Sequence, residues 1–247
     1  MNKLRKGIGV TNAIAFGMRN GIRSQPLVLI DIGGRNGLSR PWQILYKAGL
    51  VAPVFFEPEP KAATALEASY KSSTVINDAV WSDKTRKTLH VTAQPGCSSI
   101  LAPDPDERMP EAIKLMMHVE KLVDVDLIRP DIALTKLGII PDVVKLDIQG
   151  AELEALKGFG KLLQSVSCVE MEVSFMKGYG EQPLFGELYD FMVDSGFGLF
   201  DLKVFGVAGT RNGTQANAFF CRRDLKSPRQ SVVETMFRYA SDFSIWP

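Results

Sequence analysis

Short apolar runs, each ending at a turn or a charged residue, set the rhythm of this chain. Leu27 to Ile30 is the first; it runs into Asp31 and then a glycine-rich turn, Gly33-Gly34-Arg35-Asn36-Gly37. A run of this length bounded by glycine predicts a buried strand, a tight turn and a helix N-terminus. The pattern recurs at Pro53 to Glu57, Thr74 to Asp78, Asp142 to Ile148 and Ser165 to Val173. Helices are expected between these runs, over residues 38–49 with Pro41 in the first turn, over Lys61 to Tyr70, and over AELEALKGFGKLL after Gly150. An amphipathic helix over Leu184 to Ser195 ends at Gly196, and Phe197 to Val204 and Ala216 to Arg222 predict two closing strands. Strands alternating with helices imply a parallel sheet. The expected fold is α/β, a doubly wound, mostly parallel seven-stranded sheet with an antiparallel final strand.

The rhythm breaks after the third strand. Ala79 to Trp81 and TLHVT flank a polar turn and predict an extra β-hairpin beside that strand. Residues 94–141 begin QPGCSSILAPDPDERMP, a loop by composition, with a short helix or strand around His118 to Val125. Long loops in compact domains shape substrate access or move, so 94–141 is expected to be a substrate or lid insertion. Cys97, Ser98 and Ser99 are its candidates for covering a ligand. A basic N-terminal segment, 1–26, is expected to be a helix on the sheet edge, with a membrane- or partner-touching surface as the other reading. A tail, 224–247, carries Phe237, Phe243 and Trp246 and is expected to pack on the body or on a second copy of the chain. All of this fits one domain, 1–247.

Composition narrows the classes. Of 247 residues, 45% are hydrophobic and 23% charged, and the net charge is +1, which argues against broad nucleic-acid binding. No apolar run is long enough for a transmembrane helix, and the N-terminus lacks a signal-peptide pattern. Cys97, Cys168 and Cys221 are few and scattered; they read as buried thiols in a reducing cytoplasm. No Cys/His spacing suits zinc, and no metal is expected, with a divalent ion held by Asp147 and the glutamates as the lesser variant.

Candidate chemistry gathers at strand ends. A dinucleotide turn reads G-x-G-x-x-G, and here its first glycine falls on Ile32. D-x-G-G-x-x-G from Asp31 suits S-adenosylmethionine (SAM) better: Asp31 can face an ammonium and backbone N–H groups a carboxylate. An NAD-dependent oxidoreductase is the rival enzyme reading, and a non-catalytic cofactor- or partner-binding module is the rival outside enzymes. Glu57, closing the second strand, stands where ribose hydroxyls are held in such folds, or is a solvated strand-end acid. Asp78 can accept from an adenine amino group or cap a turn. In Asp142 to Ile148, alternation puts Val143, Lys145 and Asp147 on one face. A central parallel strand is normally apolar on both faces, so these charges need partners. Glu170 and Glu172 share a face of the next strand and can converge with them. The cluster is either a network that stiffens the sheet or an acid/base site at the carboxyl ends of the strands.

Three stretches, IDIGGRNG (30–37), FFEPEP (55–60) with NDAVWSD (77–83), and VVKLDIQGAELEALKG (143–158), resemble the FkbM family of SAM-dependent methyltransferases; GCSSIL (96–101) also resembles a family segment. The resemblance spans most of 27–222. It implies a Rossmann-like class I methyltransferase fold, SAM as methyl donor, and a sugar, glycan or secondary-metabolite hydroxyl as acceptor. It places the cofactor on Asp31, Gly33, Gly34, Asn36, Gly37, Glu57, Asp78 and Ala79. Asp147 is the first candidate to orient or deprotonate the acceptor, with Lys145 and Glu170 tuning its charge. Two residues depart from the family pattern: Arg35 in the turn, and Gln149 where D-x-E-G-A-E has glutamate.

Overall fold

The computed structural model describes residues 14–206, 213–224 and 227–240. The aromatic residues Phe243 and Trp246 and residues 1–13 of the N-terminal segment lie outside these. The main sheet contains β1 (Leu27–Ile32), β2 (Val51–Phe56), β3 (Thr74–Ile76), β7 (Val143–Leu146), β8 (Cys168–Ser174), β9 (Phe197–Gly206) and β10 (Gly213–Arg222). Their order is β3-β2-β1-β7-β8-β10-β9. The first five are mutually parallel, and β10 runs antiparallel to both β8 and β9. This is the seven-stranded, mostly parallel sheet that the alternation of strands and helices implies. The order reverses between β1 and β7, which is where open α/β sheets place ligands.

Apart from Asp31, Lys145, Glu170 and Glu172, the central strands are largely apolar on both faces because each face is covered. On one face α1 (Arg40–Lys47), α2 (Pro60–Ser69) and α7 (Pro228–Ala240) bury Trp42, Leu45, Leu66 and Phe237 against Leu27, Leu29, Phe55 and Val143. On the other, α5 (Glu152–Gly158) and α6 (Phe185–Asp194) bury Leu156, Leu188 and Met192 against Ile30, Ile32, Val144 and Val169. Residues 14–19 are helical, and Ile14 packs on the first of these cores.

The region after β3 corrects two expectations. Two extra strands do follow, β4 (Ala79–Val80) and β5 (Thr85–Thr92), but they do not pair with each other. Both pair with β6 (Val119–Ile128) in a separate three-stranded sheet, β4 parallel and β5 antiparallel to it. A two-residue strand cannot hold a hairpin, whereas the ten residues of β6 offer an edge on each side. The 94–141 stretch is accordingly not one loop. It holds α3 (Glu111–Met116), β6 and α4 (Pro130–Lys136), and α4 is the crossover into β7. Only about 94–110 is irregular.

A half-buried ion pair closes the opposite end of the sheet. Asp142 accepts Val28 N–H at 2.8 Å and a two-pronged contact from Arg229 Nε and Nη2 at 2.7 and 2.6 Å. Arg229 also donates to the carbonyls of Gln25 and Pro26 at 2.7 and 3.0 Å, tying α7 to the start of β1. Arg229→Ala removes the donor to two carbonyls and to Asp142 Oδ1, leaving the carboxylate only Val28 N–H, and should lower unfolding stability by about 2 kcal/mol. Urea denaturation measures the loss; the same variant in an Asp142→Ala background should show much less.

Candidate active site

Register puts three charged residues in one row across the sheet: Asp31 of β1 beside Lys145 of β7, and Lys145 beside Glu170 of β8. The alternation that seats Leu29, Val143 and Cys168 in the core turns these residues to the same face two positions later. Lys145 Nζ reaches Asp31 Oδ1 at 3.3 Å and Asp147 Oδ2 at 3.9 Å. Burial opposes its charge, but Asp31, Asp147 and Glu170 outweigh burial and hold the ammonium above its ordinary range. Glu170 accepts the indole N–H of Trp42 at 2.7 Å. Burial pushes the Asp31 and Glu170 carboxyls up, with Lys145 pulling each back.

The predicted convergence of Lys145, Asp147, Glu170 and Glu172 is therefore present, and Asp31 joins it. Glu172 lies one row further on, where it accepts from Gln215 Nε2 at 2.6 Å and Gln149 Nε2 at 3.3 Å. Burial, then the neighbouring Asp147 and Glu152, push its carboxyl well up. Trp42, Gln215 and Tyr179 were not marked by local sequence. Tyr179 sits in a Gly-Tyr-Gly turn just past β8, and a turn at the carboxyl end of a parallel strand is the signal that could have found it.

The glycine turn abuts this cluster. Gly33 has φ +85, and a Cβ there would overlap the Asp147 carbonyl oxygen. Gly34 is buried against Phe55. The Gly33 N–H donates to Phe56 O at 3.2 Å and the Gly37 N–H to Gly34 O at 2.7 Å, so neither is free to face a ligand carboxylate. Gly37, at φ +78, backs onto the Tyr70 hydroxyl, which accepts Leu38 N–H at 2.9 Å. With the exposed Asn36 and Arg35 it lines a cavity of about 380 Å³ bordered by α1 and α2, rather than the carboxylate cluster.

Glu57 closes β2 and is 4% exposed; its Oε1 accepts Glu59 N–H at 2.9 Å, and burial pushes its carboxyl up. Arg35 pairs with Glu59 at 2.7 Å, bridging the glycine turn and the turn after β2. Asp78 is half-buried, and burial and then Asp126 raise its carboxyl. Ala79 is buried at the start of β4, opposite Leu127.

A cover lies over the ends of β7 and β8. Ser99 Oγ donates to Gln149 O at 2.8 Å, and Tyr179 OH lies 2.8 Å from Cys97 O and 3.1 Å from Gln149 Oε1. Backbone N–H groups of Gly180, Asp104 and Asp106 bond the carbonyls of Ala102, Gly178 and Lys177 at 2.9, 2.9 and 3.0 Å. Glu152, at the start of α5, holds the 148–150 turn by accepting Ile148 N–H at 3.0 Å and Gly150 N–H at 2.9 Å.

The sheet order and the helices on both of its faces define a doubly wound α/β protein. The methyltransferase FkbM domain model matches residues 31–199, and the chain belongs to that family. It is a SAM-dependent methyltransferase. No curated protein matches the sequence. Among solved structures it is similar to magnesium protoporphyrin IX methyltransferase (ChlM) from Synechocystis PCC 6803 with bound SAM, at 13% identity over 86% of this chain and 77% of that one, TM-score 0.44. It is also similar to the Burkholderia thailandensis 1,6-didemethyltoxoflavin-N1-methyltransferase, at 12% identity over 86% and 79%, TM-score 0.42. A third is the StiE O-MT, residues 961–1257, at 9% identity over 90% and 75%, TM-score 0.43.

The residues fit the cofactor. Asp31 Oδ2 is buried and finds no hydrogen-bond partner among the described residues, and the carboxylates around Lys145 outnumber it, a surplus that a sulfonium and an ammonium offset. Ile32, buried at the end of β1, stands where a dinucleotide turn begins with glycine. Among the described residues, no helix is long and apolar enough to cross a membrane.

Glu152 generates a pH prediction. Burial raises its carboxyl from 4.5 to about 7 despite the two N–H donors. The folded protein then keeps a proton that the unfolded chain releases near 4.5, so this group's stabilisation is complete below that pH and is lost as pH rises through about 7. The loss amounts to at most roughly 3 kcal/mol. Glu152→Gln should flatten the fall in urea stability between pH 5 and 8 relative to the unmodified protein, and a parallel fall in both would contradict the assignment.

Proposed function

We propose that this protein O-methylates a hydroxyl of a sugar, glycan or secondary metabolite, with Asp147 as the residue that orients and deprotonates the acceptor. The observation that carries the reading is Asp147 itself. It ends the strand beside β1, its side chain is 40% exposed while Asp31 is fully buried, and its carboxylate is held between Lys145 and the Gln149 amide at 3.9 and 3.1 Å. A carboxylate fixed on two sides and open on a third is built to accept a proton.

SAM, when bound, supplies an electrophilic methyl carbon. Asp31 would face its ammonium through the unpartnered Oδ2, Glu57 its ribose hydroxyls, and Asp78 and Ala79 its adenine. Lys145 and the Gln149 amide hold the Asp147 carboxylate in place, with Glu170 balancing the lysine. The cover formed by 96–106 and 177–183 excludes water and shapes the acceptor pocket. Alignment of the acceptor oxygen with the methyl carbon supplies most of the remaining advantage.

Calorimetric titration with SAM, S-adenosylhomocysteine and NAD should show binding of the two sulfur compounds and none of NAD. Asp31→Ala and Glu57→Ala should each weaken SAM binding by about tenfold or more, roughly the worth of one charge-assisted hydrogen bond. Asp147→Asn should leave SAM affinity within about twofold while lowering methyl transfer to a hydroxyl acceptor by roughly 100-fold or more. Labelled-methyl transfer to a panel of sugars and polyols is the assay; undiminished transfer by Asp147→Asn would remove its role.

A further inference from the structure

We propose that Gln149 is a positioning residue whose amide does the work of a cation, holding Asp147 and Glu172 together in an acidic cluster that needs no metal ion. The inference rests on the reading of Asp147 given above, but it concerns a different residue and is read by different measurements.

Gln149 has φ 56, a left-handed conformation that a side-chain-bearing residue adopts at a cost of about 1 kcal/mol or more. Such strain persists only where the surroundings over-determine it. Here four contacts do so, each from a different part of the chain. The amide Nε2 donates to Asp147 Oδ1 at 3.1 Å and to Glu172 Oε1 at 3.3 Å. The amide Oε1 lies 3.1 Å from Tyr179 OH, and the backbone carbonyl accepts from Ser99 Oγ at 2.8 Å.

The amide has only one workable orientation. The single Tyr179 hydroxyl proton is shared between Cys97 O at 2.8 Å and Gln149 Oε1 at 3.1 Å, so the two carboxylates decide the orientation. A flipped amide would set Oε1 against two carboxylate oxygens at 3.1 and 3.3 Å with no donor between them. The orientation observed assigns both Asp147 oxygens: Oδ1 to the Gln149 amide, Oδ2 toward Lys145. The carboxylate cannot rotate without losing one of them.

A glutamate of the same length at this position would bring another carboxylate to hydrogen-bond range of Asp147 and Glu172, with Glu152 already close enough to raise Glu172. Such a group would need a proton or a divalent cation between its members. Gln149 removes one negative charge and adds the N–H donors that a cation would replace. The departure from D-x-E-G-A-E at this position is thus a change in how the cluster is neutralised, not a lesion in it.

The test is a donor–acceptor swap. Gln149→Glu, Gln149→Leu and the double variant Gln149→Glu/Glu172→Gln are compared with the unmodified full-length protein by urea denaturation at pH 5.5 and 8.5, with and without millimolar Mn²⁺, and by calorimetric titration with Mn²⁺ alone. Gln149→Glu should match the unmodified protein at pH 5.5, where a shared proton bridges the carboxylates. At pH 8.5 its midpoint should fall by about 1 M urea, and Mn²⁺ should restore it. Gln149→Leu should be lower at both pH values and indifferent to Mn²⁺. The double variant keeps one amide between two carboxylates and should recover the unmodified pH dependence without metal. If Gln149→Glu does not fold, the double variant decides: a folded, metal-indifferent double variant supports the proposal, and an unfolded one overturns it. Equal pH dependence of Gln149→Glu and the unmodified protein also overturns it, as does Mn²⁺ binding by the unmodified protein that Asp147→Asn abolishes. None of these readouts needs a methyl acceptor, so failure of Asp147 as base appears only in the transfer assay.

Discussion

Lys145 carries a positive charge into a central strand of a parallel sheet, where its neighbours in register are Asp31 and Glu170. A buried ammonium without carboxylates beside it would be untenable, and so would three carboxylates without the ammonium. Each member therefore constrains the others, and the row fixes the relative height of β1, β7 and β8 at their carboxyl ends. The glycine turn, the Asp147 turn and the cover over them are all referenced to that row. A slip of one residue in any of the three strands would send its charge into the opposite, wholly apolar core.

The main sheet was legible because its strands are short apolar runs stopped by Gly, Pro or a charge, a pattern that owes little to distant contacts. The convergence of Asp31, Lys145, Asp147 and the two glutamates was also legible in part: period-two alternation and strand adjacency are enough to place them on one face. What local sequence hides is partner choice. Nothing in Ala79 to Thr92 announces that β4 and β5 will take opposite edges of a strand that begins at Val119. The charged alternation of β6 resembles a solvated loop until its partner is known.

Within the site, the hidden residues share a cause. Trp42 reaches Glu170 from a helix 128 positions earlier, and Tyr179 reaches Gln149 across 30. Such bonds depend on how helices and turns settle on the sheet, which no window of sequence records. The left-handed backbone of Gln149 is hidden for the opposite reason: in a non-glycine residue it is imposed by surroundings rather than by its own chemistry. The turn residues divided similarly, with Gly33 against the Asp147 carbonyl and Gly37 against Tyr70. A glycine pattern says that backbone must pass closely, not what it passes.

The order of the last strands bears on how the chain comes to be folded at all. β10 is made after β9 yet lies between β9 and β8, and among the described residues β9 has no other neighbour in the sheet. While synthesis proceeds from one end to the other, β9 therefore has nothing to join, and β8 presents an unpaired edge beside the charged row. Closure of this end of the sheet requires β10, which bridges both, and α7 beyond it, whose Arg229 contacts residue 25 across 204 positions. Such long-range closure slows assembly and leaves a sticky edge open meanwhile.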